Sequence, residues 1–171
     1  MRNTVSENIA EHSHSTAMIA HAIAVIGVRR FGQVYDPNEI TTLAVYHDAC
    51  EVITGDLPTP VKYANPALRS AYKELEDNAA DTLLAMLSND LLPDFESIIK
   101  PKDGIEIQIV KAADKLSAYI KCIEEIKSGN MEFAKAKKTI KGQIDAIDLP
   151  EVKYFIKHFL GAYELSLDEL N

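Results

Sequence analysis

Tryptophan is absent from this sequence of 171 residues, and cysteine occurs only twice. Cys50 and Cys122 form no CxxC pair and fall inside helical patterns. This excludes a disulfide scaffold and a cysteine-rich structural zinc site, and it fits a reducing compartment. No run of about 18 apolar residues occurs, which argues against a membrane span. Met1 is not followed by the basic, apolar and small-residue succession of a signal peptide, so the expected location is cytoplasmic. Positive charge is also in deficit: 18 basic against 26 acidic residues give a net charge of −8. Binding to a nucleic-acid polymer needs a basic footprint and is not expected. An acidic protein that handles a phosphate needs a local positive charge, and a bound metal ion is one source. The run KAKKTIK at 135–141 is another candidate, but it reads first as a solvated helix face.

No sustained period-2 alternation bounded by turn residues is present, so strands are not expected. The length suits a single domain with a real core, covering 1–171. The pattern predicts an all-α bundle of about six to seven helices. Asn8 with Glu11 resembles a capping box, with Thr4 and Glu7 as a rival start, and Gly32 ends a first helix from about Asn8 to Arg30. A second helix opens at Asp36-Pro37-Asn38-Glu39, where Asp36 caps and Glu39 completes the box, and runs through Glu51 to stop by Gly55. GDLPTPVKYANP at 55–66 holds three prolines and one glycine and reads as a stiff loop. Asn65-Pro66 opens a third helix to about Leu87, and a short helix covers 93–99. The next spans 105–127 and ends at Ser128-Gly129. Another spans 131–147, with Gly142 a candidate break. Pro150 opens the last, to about Leu165, and Ser166 caps a final turn.

Several titratable residues fall on faces that should be apolar. In the second helix the stripe Ile40, Leu43, Ala44 leads to His47, with Asp48 beside it and Glu51 one turn on. A lone buried histidine can be a satisfied core residue, but a buried carboxylate beside it costs several kcal/mol by rough transfer estimates unless a cation is near. No Lys or Arg lies in 31–61, so the partner comes from elsewhere in the fold or is a metal. His12 sits at the N-terminal end of the Ile19, Ile23, Ile26 stripe. Asp114 lies against Ile107, Val110 and Ala118, with Lys111 or Lys115 as a local alternative partner. His14 and His21 share another face with no carboxylate and read as surface or core-edge histidines. Together His12, His47, Asp48 and Asp114 make a nitrogen and oxygen ligand set suited to a divalent transition ion with open positions.

The order of these residues, a histidine, an adjacent His-Asp pair and a distant aspartate, resembles the HD-domain metal-dependent phosphohydrolases. The words SENIAEHS, LAVYHDACEVITGDLPTPVKY, VKAADKLSAYIKCIEE and LSLDEL closely resemble the YfbR-type 5′-deoxynucleotidases over nearly the whole chain. The resemblance implies an HD-domain helical bundle, a homodimer, and release of phosphate from deoxyribonucleoside 5′-monophosphates. It implies a divalent ion, Co²⁺ or Mn²⁺, on His12, His47, Asp48 and Asp114. It makes Glu51 the catalytic carboxylate, and Asp56, Leu57, Pro58 and Thr59 a nucleotide-contacting segment, with His12, Asp48 and Asp114 also at the substrate. Glu51 as a residue that merely orients a ligand, and Asp56 as a turn position, stay open. Lys62 and Lys121 read as surface lysines, with phosphate contact the alternative. The family also carries an Arg-Trp pair well upstream of its first histidine. Here eleven residues precede His12 and no Trp occurs, so the family's N-terminal segment is expected to be missing. That leaves two alternatives: an HD hydrolase of another phosphate ester, and a non-catalytic helical dimer that binds metal or nucleotide.

Overall fold

The structure, a computed structural model, describes residues 3–4, 6–57, 62 and 65–169. Every regular element among them is helical. The first helix, α1, spans Ile9–Phe31. Asn8 Oδ1 accepts from the Glu11 amide at 3.0 Å, and the Asn8 amide donates to Glu11 Oε2 at 2.9 Å, which closes the expected capping box. Gly32 ends the helix in the left-handed region, φ 67, where a side chain would be strained. Helix α2, Pro37–Tyr46, is capped by Asp36 Oδ1 on the Asn38 amide at 2.8 Å. Glu39 makes no return bond, so this cap is not the box that the sequence suggests.

Helix α2 does not run through to Glu51. It stops at Tyr46, residues 47–50 form turns, and a single helical turn, α3, spans Glu51–Thr54. Three-residue hydrogen bonds explain the break: Ala49 to Tyr46, Glu51 to Asp48, Val52 to Ala49. This tighter winding brings residues three apart into eclipse. Asp48 and Glu51 therefore share a side more closely than α-helical spacing implies.

Helix α4 spans Pro66–Leu84, capped by Asn65 Oδ1 on the Leu68 amide. It ends short of Leu87, the last turn giving way to three-residue bonds at Met86 and Leu87. Helix α5 covers Leu92–Ile99 and α6 covers Ile105–Lys127, as the periodicity predicts. A 3₁₀ turn at Met131–Phe133 leads into α7, Ala134–Asp145, which passes Gly142 unbroken. Helix α8, Pro150–His158, stops well before Leu165 and gives way to a 3₁₀ turn at Leu160–Glu164. Gly161 lies in that turn and is a poor α-helix former.

Helix α1 packs on α2, α6 and α8, and α7 covers α6. The core between them holds Ile23, Ile40, Ile109, Leu116, Ile144 and Val152, all essentially without exposure. Each such side chain contributes roughly 1.5–3 kcal/mol. Ala17, Ala20 and Ala24 let α1 sit close to its neighbours. At Gly27 the approach is closer still, because the Tyr35 hydroxyl occupies the space of a Cβ. That hydroxyl donates to Glu151 Oε1 at 3.1 Å. Glu151 is fully buried, and its Oε2 has no hydrogen-bond partner. A second buried acid, Glu125, accepts from the Thr4 amide at 2.8 and 3.1 Å and from Asn130 Nδ2 at 2.8 Å. Helix α4 packs against α3 and α5, so it backs the segment that follows α2. Among the described residues, no helix is long and apolar enough to cross a membrane.

Candidate metal centre

Three helices bring their polar anomalies to one place. His12 comes from the second turn of α1, His47 and Asp48 from the turn that ends α2, and Asp114 from the middle of α6. His12 Nε2 lies 3.1 Å from Asp114 Oδ1 and 3.6 Å from Asp48 Oδ2. His47 Nε2 lies 3.2 Å from Asp48 Oδ2 and 4.0 Å from Asp114 Oδ1. The imidazole centroids are 5.4 Å apart. One donor atom each from His12, His47 and Asp114 falls within 4.8 Å of the others. Asp48 adjoins this trio through the two imidazoles. Donors about 2.0–2.2 Å from one ion stand about 3–3.5 Å from each other, so the observed spacings suit a shared cation.

The tautomer of His47 is fixed by the backbone. Its Nδ1 lies 2.7 Å from the Ala44 carbonyl. A carbonyl only accepts, so Nδ1 carries the proton and Nε2 presents a lone pair. Nε2 is buried and has no hydrogen-bond partner, although Asp48 Oδ2 lies 3.2 Å away. A buried imidazole nitrogen beside two carboxylates suits a metal ligand. The Ala44 carbonyl is available because the α2 ladder ends before Asp48 can bond to it.

The hydrogen bond to Asp114 raises the pKa of His12 against the opposing effect of burial. Burial disfavours the His47 cation, yet Asp48 outweighs it and the pKa is raised. Burial also disfavours the Asp48 carboxylate, but His47, His12 and Lys62 together hold its pKa below the usual range. Glu51 goes the other way: burial first, then Asp48 and Asp56, push it up to about 7. Of the remaining expected site residues, Asp56 is exposed and Leu57 half-buried just beyond Gly55. Pro58 and Thr59 lie outside the described residues. His14 and His21 are exposed and join no metal-binding group among the described residues. Lys137 pairs with Glu164 and Lys141 with Asp145, while Lys135 and Lys138 are exposed, so the 135–141 run is a surface face.

Residues 1–163 match the family described as 5′-deoxynucleotidase YfbR-like. The chain belongs to the YfbR-like 5′-deoxynucleotidase family. The 5′-deoxynucleotidase VP0926 of Vibrio parahaemolyticus is 45% identical over all of this chain and 89% of its own length. The 5′-deoxynucleotidase yfbR of Photorhabdus temperata is 46% identical over all of this chain and 88% of its own. An HD-domain phosphohydrolase from Listeria innocua superposes with a TM-score of 0.81 at 24% identity, covering 95% of this chain and 79% of that one. A cyanophage S-2L HD phosphohydrolase, solved with dA and one catalytic Zn²⁺, superposes at 0.57 with 16% identity, over 94% of this chain and 87% of its own. These structural likenesses show the HD fold in this YfbR-like enzyme.

Sequence patterning had no signal for two features beside the centre. Tyr72, on α4, donates from its hydroxyl to the Gly55 carbonyl at 3.1 Å. Glu76, one turn later, holds Lys62 Nζ at 2.6 Å. Both are long-range contacts that only the docking of α4 on α3 creates.

Proposed function

We propose that this chain is a metal-dependent phosphomonoesterase that hydrolyses deoxyribonucleoside 5′-monophosphates to deoxynucleoside and phosphate. The observation that carries the reading is the buried Nε2 of His47, close to Asp48 and Asp114, inside a 5′-deoxynucleotidase family chain. His12, His47, Asp48 and Asp114 would hold one divalent ion, with Co²⁺ or Mn²⁺ the activating choices. Such an ion, when bound, polarises a phosphate oxygen and lowers the pKa of a water beside it.

The chain's own residues supply the rest. Attack of water oxygen on phosphorus breaks the bond to the 5′ oxygen, which must gain a proton. Glu51 lies one turn past the His-Asp pair, and with its pKa pushed up to about 7 by burial and by Asp48 and Asp56 it is poised to supply that proton near neutral pH. Asp56, just beyond α3, accepts from the sugar 3′ hydroxyl, with Leu57, Pro58 and Thr59 completing that contact. Asp48, Asp114 and His12 border the phosphate as well as the ion. The working form is a cytoplasmic homodimer acting on free nucleotides.

Phosphate release from dAMP, AMP and p-nitrophenyl phosphate tests the proposal, measured in EDTA and after adding Co²⁺, Mn²⁺ or Zn²⁺. Metal-restored release that favours dAMP is the expected result. Equal release from dAMP and AMP would retain the metal chemistry and reject the sugar preference. Silence with every metal would reject the enzyme.

A further inference from the structure

Asp56 needs a fixed place if it is to read a sugar hydroxyl, yet the chain leading to it is loosely built. Helix α3 is a single turn, too short to hold itself. Gly55 follows with φ 70, a conformation that side chains rarely adopt and that glycine reaches only by giving up much backbone freedom. Two bonds inside the segment shape this joint. The Gly55 amide donates to the Glu51 carbonyl at 2.8 Å, and Thr54 Oγ1 donates to the Gly55 carbonyl at 3.0 Å. Both move with the segment, so neither locates it against the rest of the protein.

A third bond does. Tyr72, buried on α4, donates from its hydroxyl to the same Gly55 carbonyl at 3.1 Å. Among the described residues, it is the one side-chain hydrogen bond that ties residues 51–57 to another helix. The oxygen it holds belongs to the peptide that ends at Asp56. That peptide is planar, so fixing its oxygen sets the plane that carries the Asp56 Cα. Asp56 itself is exposed and open to a ligand. The Tyr72 ring is backed in turn by Lys62, whose Nζ lies 4.4 Å from its centre and 2.6 Å from Glu76 Oε1. Gly55 and Lys62 therefore both return to one turn of α4.

We propose that Tyr72 is the positioning residue of the nucleotide-contacting segment: through the Gly55–Asp56 peptide it sets the Asp56 carboxylate to accept from the sugar 3′ hydroxyl. This rests on the reading above, in which Asp56 meets the sugar, and adds the group that places that contact. The Tyr72 hydroxyl acts through Asp56, so its effect falls on ligands that carry a 3′ hydroxyl and spares those that lack one. A tyrosine that merely stabilised the fold would affect both alike.

The test measures binding of 2′-deoxyadenosine and 2′,3′-dideoxyadenosine by calorimetry in the presence of Co²⁺. The two ligands differ only in the 3′ hydroxyl, and neither carries a phosphate to lose. The wild type should prefer deoxyadenosine about tenfold or more, the scale of one hydrogen bond to a charged group. Tyr72→Phe keeps the ring and should lose most of that preference, with dideoxyadenosine binding unchanged. Gly55→Ala, strained at φ 70, should lose it as well. Asp56→Ala should abolish the preference, and adding Tyr72→Phe to it should cost nothing further. The assignment is overturned if Tyr72→Phe keeps the preference, if it weakens both ligands equally, or if the wild type shows none. Phosphate release from dAMP is scored on the same samples. Release with an unchanged preference in Tyr72→Phe would keep the nucleotidase and remove Tyr72. A preference that depends on Tyr72, without release in the wild type, would sink the nucleotidase reading and leave Tyr72 standing.

Discussion

A methyl group added at Gly27 would stand 1.7 Å from the Tyr35 hydroxyl oxygen and 2.8 Å from ring carbon Cζ. No real Cβ tolerates the first distance, so the ring must move. The hydroxyl is the hydrogen-bond donor to Glu151, whose other oxygen already lacks a partner in a fully buried position. Overpacking costs about 1–3 kcal/mol. A buried acceptor left unsatisfied costs about 1–3 kcal/mol more. Alanine is favoured over glycine inside a helix by about 1 kcal/mol, which offsets part of this. Gly27→Ala should therefore lose on the order of 3 kcal/mol. Gly142 is the control. It lies within α7 with nothing near its would-be Cβ, so Gly142→Ala should gain about 0.5–1 kcal/mol. Urea unfolding followed by circular dichroism reads both, with the m-value confirming that the unfolding reaction is the same. A Tyr35→Phe partner sharpens the test. Alone it removes the donor to Glu151, but combined with Gly27→Ala it also removes the worst clash. The double variant should lose clearly less than the sum of the singles. Wild-type stability in Gly27→Ala, or strict additivity, would refute the close approach of Tyr35 to α1.

Asp48→Ala should abolish both metal occupancy and phosphate release, as metal analysis and turnover on one sample will show. Full occupancy with turnover would remove Asp48 from the centre. Glu51→Ala should keep the metal and lower kcat by about 10²–10⁴, the scale of a lost general acid. An unchanged kcat would leave Glu51 a bystander. In metal-free protein Glu51 also sets a pH dependence of stability. Its folded pKa of about 7 exceeds the ordinary 4.5, so the folded state holds its proton more tightly than the unfolded chain. The resulting destabilisation is absent below pH 4.5, grows toward pH 7 and is complete above it. Glu51→Gln should thus gain on the wild type across that window, by on the order of 1 kcal/mol after solvent screening. Unfolding curves at pH 4.5 and 8 decide it.

The helices were legible because their ends carry local chemistry. Asn8 with Glu11, Asp36-Pro37 and Asn65-Pro66 are read from a few adjacent residues, and each does open a helix. The His12, His47, Asp48 and Asp114 set stood out because each breaks an apolar stripe, and the fold brings the four into reach of one another. The break after Tyr46 was hidden, because helical periodicity continues through 47–51 while the hydrogen bonds change from four-residue to three-residue spacing. The ends of α4 and α8 were overextended for a related reason, since apolar residues continue past the point where the backbone tightens. Tyr72, Glu76, Glu125 and Glu151 left no mark at all. Each has a partner between 14 and 121 residues away, which local patterning cannot register.

The carbonyl of Ala44 has two suitors, the amide of Asp48 and the ring of His47. An engineer looking for heat resistance would be drawn to residues 47–50, an irregular interruption between two helical stretches. Rewinding them into a continuous α-helix would hand that carbonyl to the amide and release the imidazole. The ring would then be free to move its proton to Nε2, the atom that must be bare to take a cation. Such a variant would melt later and bind metal worse. Ranking candidate stabilising mutations by melting temperature alone would select it.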